Sequence, residues 1–535
     1  MATERTNNLL PALGSSDALD AHDRPNNASV QVAPAGEGSD VLAPQALFSS
    51  SPTRGSLDFL STVAMAPGGD NTDFDLVVIG AGSAAFAAAI RATEGGYRVA
   101  LVEDGIIGGT CVNVGCVPSK ALLRAAELAW EAGHHPFTGL RTTSHPVDLA
   151  TLVARKNELV DSLRQHKYQD LLADYGITLI RGRGRFKDPS TLDVNGESVS
   201  AQRFLVATGA VPTKPPIPGL SESGFLTSDT ALNLTQVPKR LAVIGANSIG
   251  LELGQFFIHV GSIVTFIDIA DRIAYLEEPE VSRALCEILT DQGATIHTSS
   301  EVLEVYSQDG AKVLKVSVAG HDVLIESDEI LLATGRLPDT ADLDLHLAKV
   351  KIDSRGAIVV DEQLCTSNPI VFAAGDVTGG PQFVYVAAYE GTLAVDNALF
   401  GQSKSLDLRA LPKVTFTAPQ LASVGITEAQ ARSLGIDVEI SVLSLEAVPR
   451  ALVNRDTRGI AKLVADAATG KLLGASLLAD GAGDVIEAAV LAIKYGITAD
   501  ELAGTFHPYL TMAESIKLAA QTFRRDVNRL SCCAP

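Results

Sequence analysis

The chain has 535 residues, with 42 Lys and Arg against 63 Asp and Glu, a formal net charge of −21. That balance argues against nucleic acid as the main partner and against an anionic membrane surface, because both are bound through clustered Lys and Arg. Apolar residues make up 46%, enough for packed cores, and the length suits about three domains at roughly 100–200 residues each.

Residues 1–72 are rich in Ala, Ser, Asn, Pro and Gly, hold no Cys and show no sustained apolar period. They read as a disordered tail. No basic stretch is followed there by an apolar one, so no secretion signal is expected. No apolar run reaches the ~18 residues of a spanning helix, and a cytoplasmic location is expected.

Order is expected from Phe74. Asp75–Ile79 reads as a buried strand, Gly80-Ala-Gly82-Ser-Ala-Ala85 as a turn into a helix over Ala84–Thr93, and Arg98–Glu103 as the next strand. In such a βαβ unit Gly80 and Gly82 let backbone N–H groups approach a pyrophosphate, and Ala85 keeps the helix close to the strand. Glu103, at the end of the second strand, suits a ribose hydroxyl. A lone glycine fingerprint is weak, but here the whole strand–turn–helix–strand–acid context is present.

Lys214-Pro-Pro-Ile-Pro-Gly219 is a stiff linker. A second copy of the unit follows at Arg240–Gly250, with a helix to about Val260 and a strand over Ile263–Asp268. Gly245 and Gly250 match the pattern, but Asn247 replaces the middle glycine. Its side chain would crowd a phosphate unless Asn adopts the left-handed conformation. Asp268 would accept bonds from a free ribose and repel a 2′-phosphate, which points to NADH, and the nearby Arg272 points the other way. After about Lys404 the pattern is strands and then helices without a third fingerprint, a separate α+β domain.

Six cysteines in so long a chain do not make a disulfide scaffold. Four come as two close pairs, Cys111 with Cys116 and Cys532 with Cys533, while Cys286 and Cys365 match no motif and read as structural or neutral. On a regular helix positions i and i+5 are about 7.5 Å apart along the axis, whereas a disulfide needs Cα atoms within about 7 Å. The Cys111–Cys116 stretch must therefore be irregular, and Gly115 makes that easy. Pro118 suits the first helical position, which would put Cys116 at a helix N-terminus, where a thiol pKa falls. Two small core residues or half of a zinc site are the alternatives, and no second CxxC or His pair accompanies them.

Gly108-Gly-Thr-Cys111-Val-Asn-Val-Gly-Cys116-Val-Pro-Ser-Lys120 closely resembles the redox-active disulfide segment of the flavoprotein disulfide reductases, among them dihydrolipoamide dehydrogenase, glutathione reductase and mercuric reductase. Ala207-Thr-Gly209 and Ala333-Thr-Gly335 resemble the family's strand-end turns, and Val371–Asp376 resembles its second flavin motif, in which the Asp holds the ribityl chain. The resemblance spans about residues 73–535. It implies a glutathione-reductase-like α/β fold: a first part of the FAD-binding domain at 73–213, an NAD(P)H-binding domain at 214–341, the rest of the FAD-binding domain at 342–404 and a dimerisation domain at 405–535. It also implies that FAD is held by Gly80, Gly82, Ala85, Glu103, Gly105, Thr110, Lys120, Gly184, Asp376 and Val384. NAD(P)H would be held by Gly245, Gly250, Asp268 and Arg272, and Lys120 and Glu252 would form an ion pair beside the flavin.

The ending Leu530-Ser-Cys532-Cys533-Ala-Pro535 resembles the tail of the mercuric reductase branch, as do Phe506–Glu514 and Pro381–Ala388. Adjacent thiolates at a chain end suit a soft metal ion. The resemblance implies that Cys532 and Cys533 take Hg(II) from thiol complexes and pass it to Cys111 and Cys116, with Cys116 against the flavin and Cys111 towards substrate. Tyr168 and Tyr509 would flank the metal. The tail and Tyr509 would serve the partner subunit of a homodimer, and NADPH would be the coenzyme. One departure is informative. Family members that reduce organic disulfides pair a His with a Glu five residues on, and here His507 is followed at that spacing by Met512. The branch's N-terminal CxxC domain is not expected, because residues 1–72 hold no Cys. A thioredoxin-reductase-like enzyme and a non-catalytic soft-metal-binding protein are the competing readings.

Overall fold

The computed structural model describes residues 72–526 and Arg529. Most of the 1–72 tail and both Cys532 and Cys533 lie outside the described residues.

Phe74–Ile79 is the central strand of the first sheet, apolar apart from Asp75, which is paired with Arg98, because both faces are covered. It pairs in parallel with Val99–Glu103 on one side and with Glu197–Val206 on the other, so Ile79 stands beside both Val102 and Val206. Thr178–Arg181 extends this sheet beyond Val99–Glu103, and the late strand Val371–Ala373 returns to pair with Glu197–Val206. The helix Ser83–Glu94 buries Ala84, Ala85, Ala88, Ala89 and Ala92. This run of small side chains lets it lie close both to the sheet and to the helix Val384–Leu399. Val99–Glu103 and the helix match the reading from sequence to within a residue at each end.

A second parallel sheet places Thr295–His297, Ile263–Ile267, Arg240–Ile244 and Glu329–Leu332 side by side. Its helix, Ser248–His259, packs on the helix Cys116–His134, with Leu122 and Ala126 entering the same core as Leu251, Phe256 and Phe257. A three-stranded antiparallel sheet covers Ser300–Ser327. The chain ends in a five-stranded antiparallel sheet, Pro412–Thr415 to Leu472–Ala479, with Glu487–Tyr495 and Glu514–Gln521 packed against it. The fold is the expected pair of Rossmann-like sheets followed by an α+β module.

Between the first sheet and the long helix the chain is irregular, as the cysteine spacing requires. A short helix, Gly109–Asn113, ends at Val114, and a new one starts at Cys116 with Gly115 as its N-cap. Pro118 is therefore the third helical residue and not the first as expected. It is tolerated because N–H groups in the first turn have no intrahelical partner. Gly109 has φ of +65°, and a Cβ there would meet the Cα of Gly82 at 2.6 Å. The phosphate-type turn and the cysteine segment thus touch backbone to backbone.

Gly109→Ala should lower stability by about 1–3 kcal/mol more than Gly139→Ala, read from urea midpoints. Gly139 shares the positive φ but has nothing within 4 Å of its would-be Cβ, so it isolates the cost of backbone strain. Equal losses would show that the Gly82 contact is not a constraint.

Candidate active site

The two helices place the thiols of Cys111 and Cys116 together, and Cys116 opens onto a cavity of about 620 Å³. The Cys111 thiol donates a hydrogen bond to the Cys116 sulfur, which draws the Cys116 pKa down to about 7. The Lys120 ammonium one turn along the helix adds to this, while burial and the Glu252 charge oppose it. Cys111 is pushed up, by giving that hydrogen bond and then by burial. Cys116 is the thiolate of the pair, and its partner thiol contributes more to this than the helix N-terminus invoked from sequence.

Lys120 reaches across to the second Rossmann helix and pairs with Glu252 at 2.6 Å. The other Glu252 oxygen accepts the Phe416 N–H at 2.9 Å, and the Lys120 ammonium lies 4.6 Å from the Phe416 ring centroid. One buried carboxylate therefore ties the thiol helix, the second Rossmann helix and the C-terminal module together. Removing one partner of such a pair leaves an uncompensated charge, at a cost of about 3–5 kcal/mol.

Most of the residues expected to hold a flavin line the same cavity: Gly80, Gly82, Glu103, Thr110, Lys120, Gly184, Asp376 and Val384. Ala85 is fully buried behind the turn, where it packs the helix on the sheet. Gly105 does not line the cavity but donates its N–H to the lining residue Glu103 at 2.7 Å. The Glu103 carboxyl is raised by burial, against the Gly105 and Ala81 N–H groups that favour its charge. Asp376 is likewise raised by burial and held back by the facing Arg336. Arg336 bonds Ala210 through one terminal nitrogen, while its buried Nε has no protein partner. A donor left over in a cavity of this size, beside a glycine turn at a helix N-terminus, fits the anionic dinucleotide FAD.

Gly245 follows the strand Arg240–Ile244, Gly250 lies in the first turn of the helix Ser248–His259, and Asp268 and Arg272 follow the strand Ile263–Ile267, so the four gather at the end of the second sheet. The helix that leaves it still reaches the cavity through Ser248, Ile249, Glu252 and Leu253. Asn247 is extended, with φ of −108° and ψ of −170°, and not left-handed. Gly82 has nearly the same backbone at −91° and −165°, so neither position needs glycine for its dihedrals. Asp268 accepts the Ala246 N–H at 2.5 Å and the Ala270 N–H at 2.8 Å, bracing the turn. Arg272 is committed to the Tyr275 carbonyl at 2.7 Å and to Asp271 at 3.1 Å.

Tyr168 stands in a wide-turn segment, Gln165–Gln169, packed edge-on against Phe86 at 4.9 Å. Its hydroxyl is raised by burial first and then by the neighbouring Cys111. Tyr509 is half exposed on the loop before Glu514–Gln521 and does not line the cavity within one chain. Sequence reasoning missed Arg336, Tyr385 and Phe416. Tyr385 donates to the Pro412 carbonyl at 2.6 Å, and its hydroxyl is pushed up to about 12 by burial and then by Cys116. Arg336 directly follows the Ala333-Thr-Gly335 turn and was within reach of a motif search. Phe416 acts through its backbone and its ring face, for which a sequence holds no signal.

These features define a two-dinucleotide dithiol oxidoreductase, and the comparisons agree. Residues 74–391 match the model of the pyridine nucleotide-disulphide oxidoreductases, and residues 411–520 match the dimerisation domain of the same family. The chain belongs to this family, which implies FAD and a pyridine nucleotide as cofactors and supports a homodimer. Among its relatives are mercuric reductases: from Bacillus cereus, 51% identical over 87% of this chain and 74% of that one, and from Streptomyces lividans, 50% identical over 87% and 99%. Among solved structures, the HOCl-induced flavoprotein disulfide reductase RclA from Escherichia coli superposes with a TM-score of 0.75, at 32% identity, over 84% of this chain and 99% of that one. Among the described residues no helix is long and apolar enough to cross a membrane.

In the reduced protein, alkylation of Cys116 should rise with pH around a midpoint near 7, because its thiolate persists down to there. Lys120→Met should move that midpoint towards the ordinary thiol value of about 8.5. Peptide mass spectrometry of the labelled protein reads both, and an ordinary midpoint in the parent protein would contradict the assignment.

Proposed function

We propose that the protein reduces Hg(II) to Hg(0) with electrons from NAD(P)H, and that Cys111 and Cys116 are the thiols between which the metal is reduced. The observation that carries this is the dithiol itself, set in a cavity shared by the two dinucleotide modules, in a chain half identical to mercuric reductases. In balance, NAD(P)H and Hg(II) give NAD(P)⁺, a proton and Hg(0). FAD, when bound, supplies the two-electron relay between coenzyme and dithiol.

The chain's own residues do the rest. Gly80, Gly82, Glu103 and Asp376 hold the dinucleotide, and Arg336 offers it a donor. The Cys111 thiol and, after it, Lys120 favour the ionised Cys116, so the pair presents a thiolate to a soft cation. Cys532 and Cys533 collect Hg(II) from soluble thiols and transfer it by ligand exchange, so no bare ion is released. In a homodimer the tail and Tyr509 serve the partner's site, and Tyr168 lies beside Cys111 to position the metal. Among the described residues, His507 has no Glu partner placed to make a dyad for protonating an organic leaving thiol. His507 hydrogen-bonds the Thr505 carbonyl, Met512 is buried, and Glu514 accepts the Leu510 N–H.

NADH is the proposed coenzyme. Asp268 keeps a carboxylate at the ribose position, and Arg272 spends its terminal nitrogens on the Tyr275 carbonyl and on Asp271 instead of on a 2′-phosphate, with only its buried Nε left without a protein partner.

Purified flavoprotein should oxidise NADH only when Hg(II) is supplied, and Cys111→Ala should abolish this. Replacing Cys532 and Cys533 by Ala should slow turnover most when mercury is bound to bulky thiols, and equal loss with all ligands would remove the relay. Rapid reduction of a protein disulfide without mercury would favour a thioredoxin-reductase-like enzyme instead. kcat/KM should favour NADH over NADPH by at least about 10-fold, roughly 1.4 kcal/mol. Parity would show that Arg272 swings out to the phosphate.

A further inference from the structure

The turn that presents Asp376 to the cavity is backed by a second carboxylate. Glu390 lies on the buried stripe of the helix Val384–Leu399, with Val386, Leu393 and Ala394, and is 2% exposed. One of its oxygens accepts the Gly375 N–H at 2.7 Å. Gly375 has φ of +81° and is hemmed in, since a Cβ on it would lie 3.3 Å from Ala387 and 3.4 Å from Ala84. The next residue along the helix, Gly391, sits directly on the Ala84 carbonyl, where a Cβ would clash. Glu390 is thus held at a fixed distance from the turn and from the first turn of Ser83–Glu94, the helix end that faces the cavity.

Among the described residues no cation pairs with this carboxylate. Burial lifts the Glu390 carboxyl to about 7 against the Gly375 N–H, which favours its charge, and repulsion from Asp376, the charged group on the turn that faces it, adds to the lift. The helix Ser83–Glu94 brings no cation to it, because Arg91, its one basic residue, is paired with Asp396 at 2.7 Å. Further along its own helix, Asp396 is also bound by Lys404 at 2.8 Å. Arg336 faces Asp376. A buried acid without a counter-ion is costly to ionise, and a leucine would fill the same space without that cost.

We propose that Glu390 is a positioning residue for the dinucleotide in this cavity: it fixes the Gly375–Asp376 turn through the Gly375 N–H, and its charge sets how tightly an anionic dinucleotide is held. The inference rests on reading the cavity as the FAD site. The sign follows from linkage. An acid with a raised pKa is neutral below about 7 and charged above it. The diphosphate of FAD is negative and favours the neutral form, so binding takes up a proton and affinity falls as pH rises through this range. The neutral carboxyl still accepts the Gly375 N–H through its carbonyl oxygen, so the turn keeps its anchor.

The test is to dilute the full-length holoenzyme and read released FAD by fluorescence at equilibrium, from pH 6 to pH 8. The parent protein should bind FAD several-fold to about 10-fold more weakly at pH 8 than at pH 6. Glu390→Gln keeps an oxygen for Gly375 but carries no charge, and should hold FAD at pH 8 as tightly as the parent does at pH 6. Glu390→Ala loses the anchor and should bind at least about 10-fold more weakly at both pH values. A Glu390→Gln protein with the parent's pH slope, or a Glu390→Ala protein with the parent's affinity, would overturn the proposal. Failure of the parent protein to retain FAD at any pH would overturn the reading of the cavity itself.

Discussion

The arrangement of this molecule depends on a close approach of two glycines, Gly82 and Gly109. The first belongs to the turn at the head of the first Rossmann helix, the second to the segment that delivers the cysteines. With a side chain on Gly109 the two backbones could not meet. Because they do, the thiols are carried to the carboxyl edge of the parallel sheet, where α/β folds bind dinucleotides. The glycine fingerprint therefore serves two ends. It leaves N–H groups free for a diphosphate, and it gives the dithiol a fixed place beside whatever that turn holds.

A second constraint completes the first. The thiol helix, packed through Leu122 and Ala126 on the second Rossmann helix, is further pinned near its start by Lys120 to Glu252, and by Glu252 to the Phe416 backbone. The same ammonium serves Cys116, whose pKa it helps to lower. Structural and chemical demands thus converge on one cation, and a buried pair of this kind is retained for position more than for net stability. The second Rossmann helix, which supplies Glu252, begins at the coenzyme turn and ends deep in the core with Leu122 and Ala126. Coenzyme turn, cavity and thiols are therefore linked by two packed helices.

Much of this was legible in the sequence because it is local. The two fingerprints, the broken helix between Cys111 and Cys116 and the acids closing the second strands all follow from spacing within about 30 residues, and the structure places them as expected. The exceptions are also physical. Pro118 sits third in its helix because Cys116 begins it. Asn247 stays extended because that position never required a positive φ, and Asp268 and Arg272 spend bonds on neighbouring backbone that no pattern announces. Phe416 and Arg336 draw their roles from contacts over long stretches of chain, although Arg336 follows a recognisable turn, and Glu390 acts through a bond to the nearby Gly375 that no spacing rule announces. Glu390 did leave one trace, an acid on the apolar face of a helix. The cysteines at 532 and 533, conspicuous in the sequence, lie outside the described residues, so their role rests on chemistry and resemblance.

In the proposed reaction, electrons taken from a nicotinamide leave the protein on mercury, by way of the Cys111–Cys116 pair. Anaerobic turnover in a sealed cell, with the elemental mercury carried off by inert gas and counted against the coenzyme oxidised, puts this to the test. One Hg(0) is expected for each NADH consumed, with the protein's thiol content unchanged at the end. Coenzyme oxidation without volatile mercury, or mercury released only in proportion to thiols lost, would contradict it.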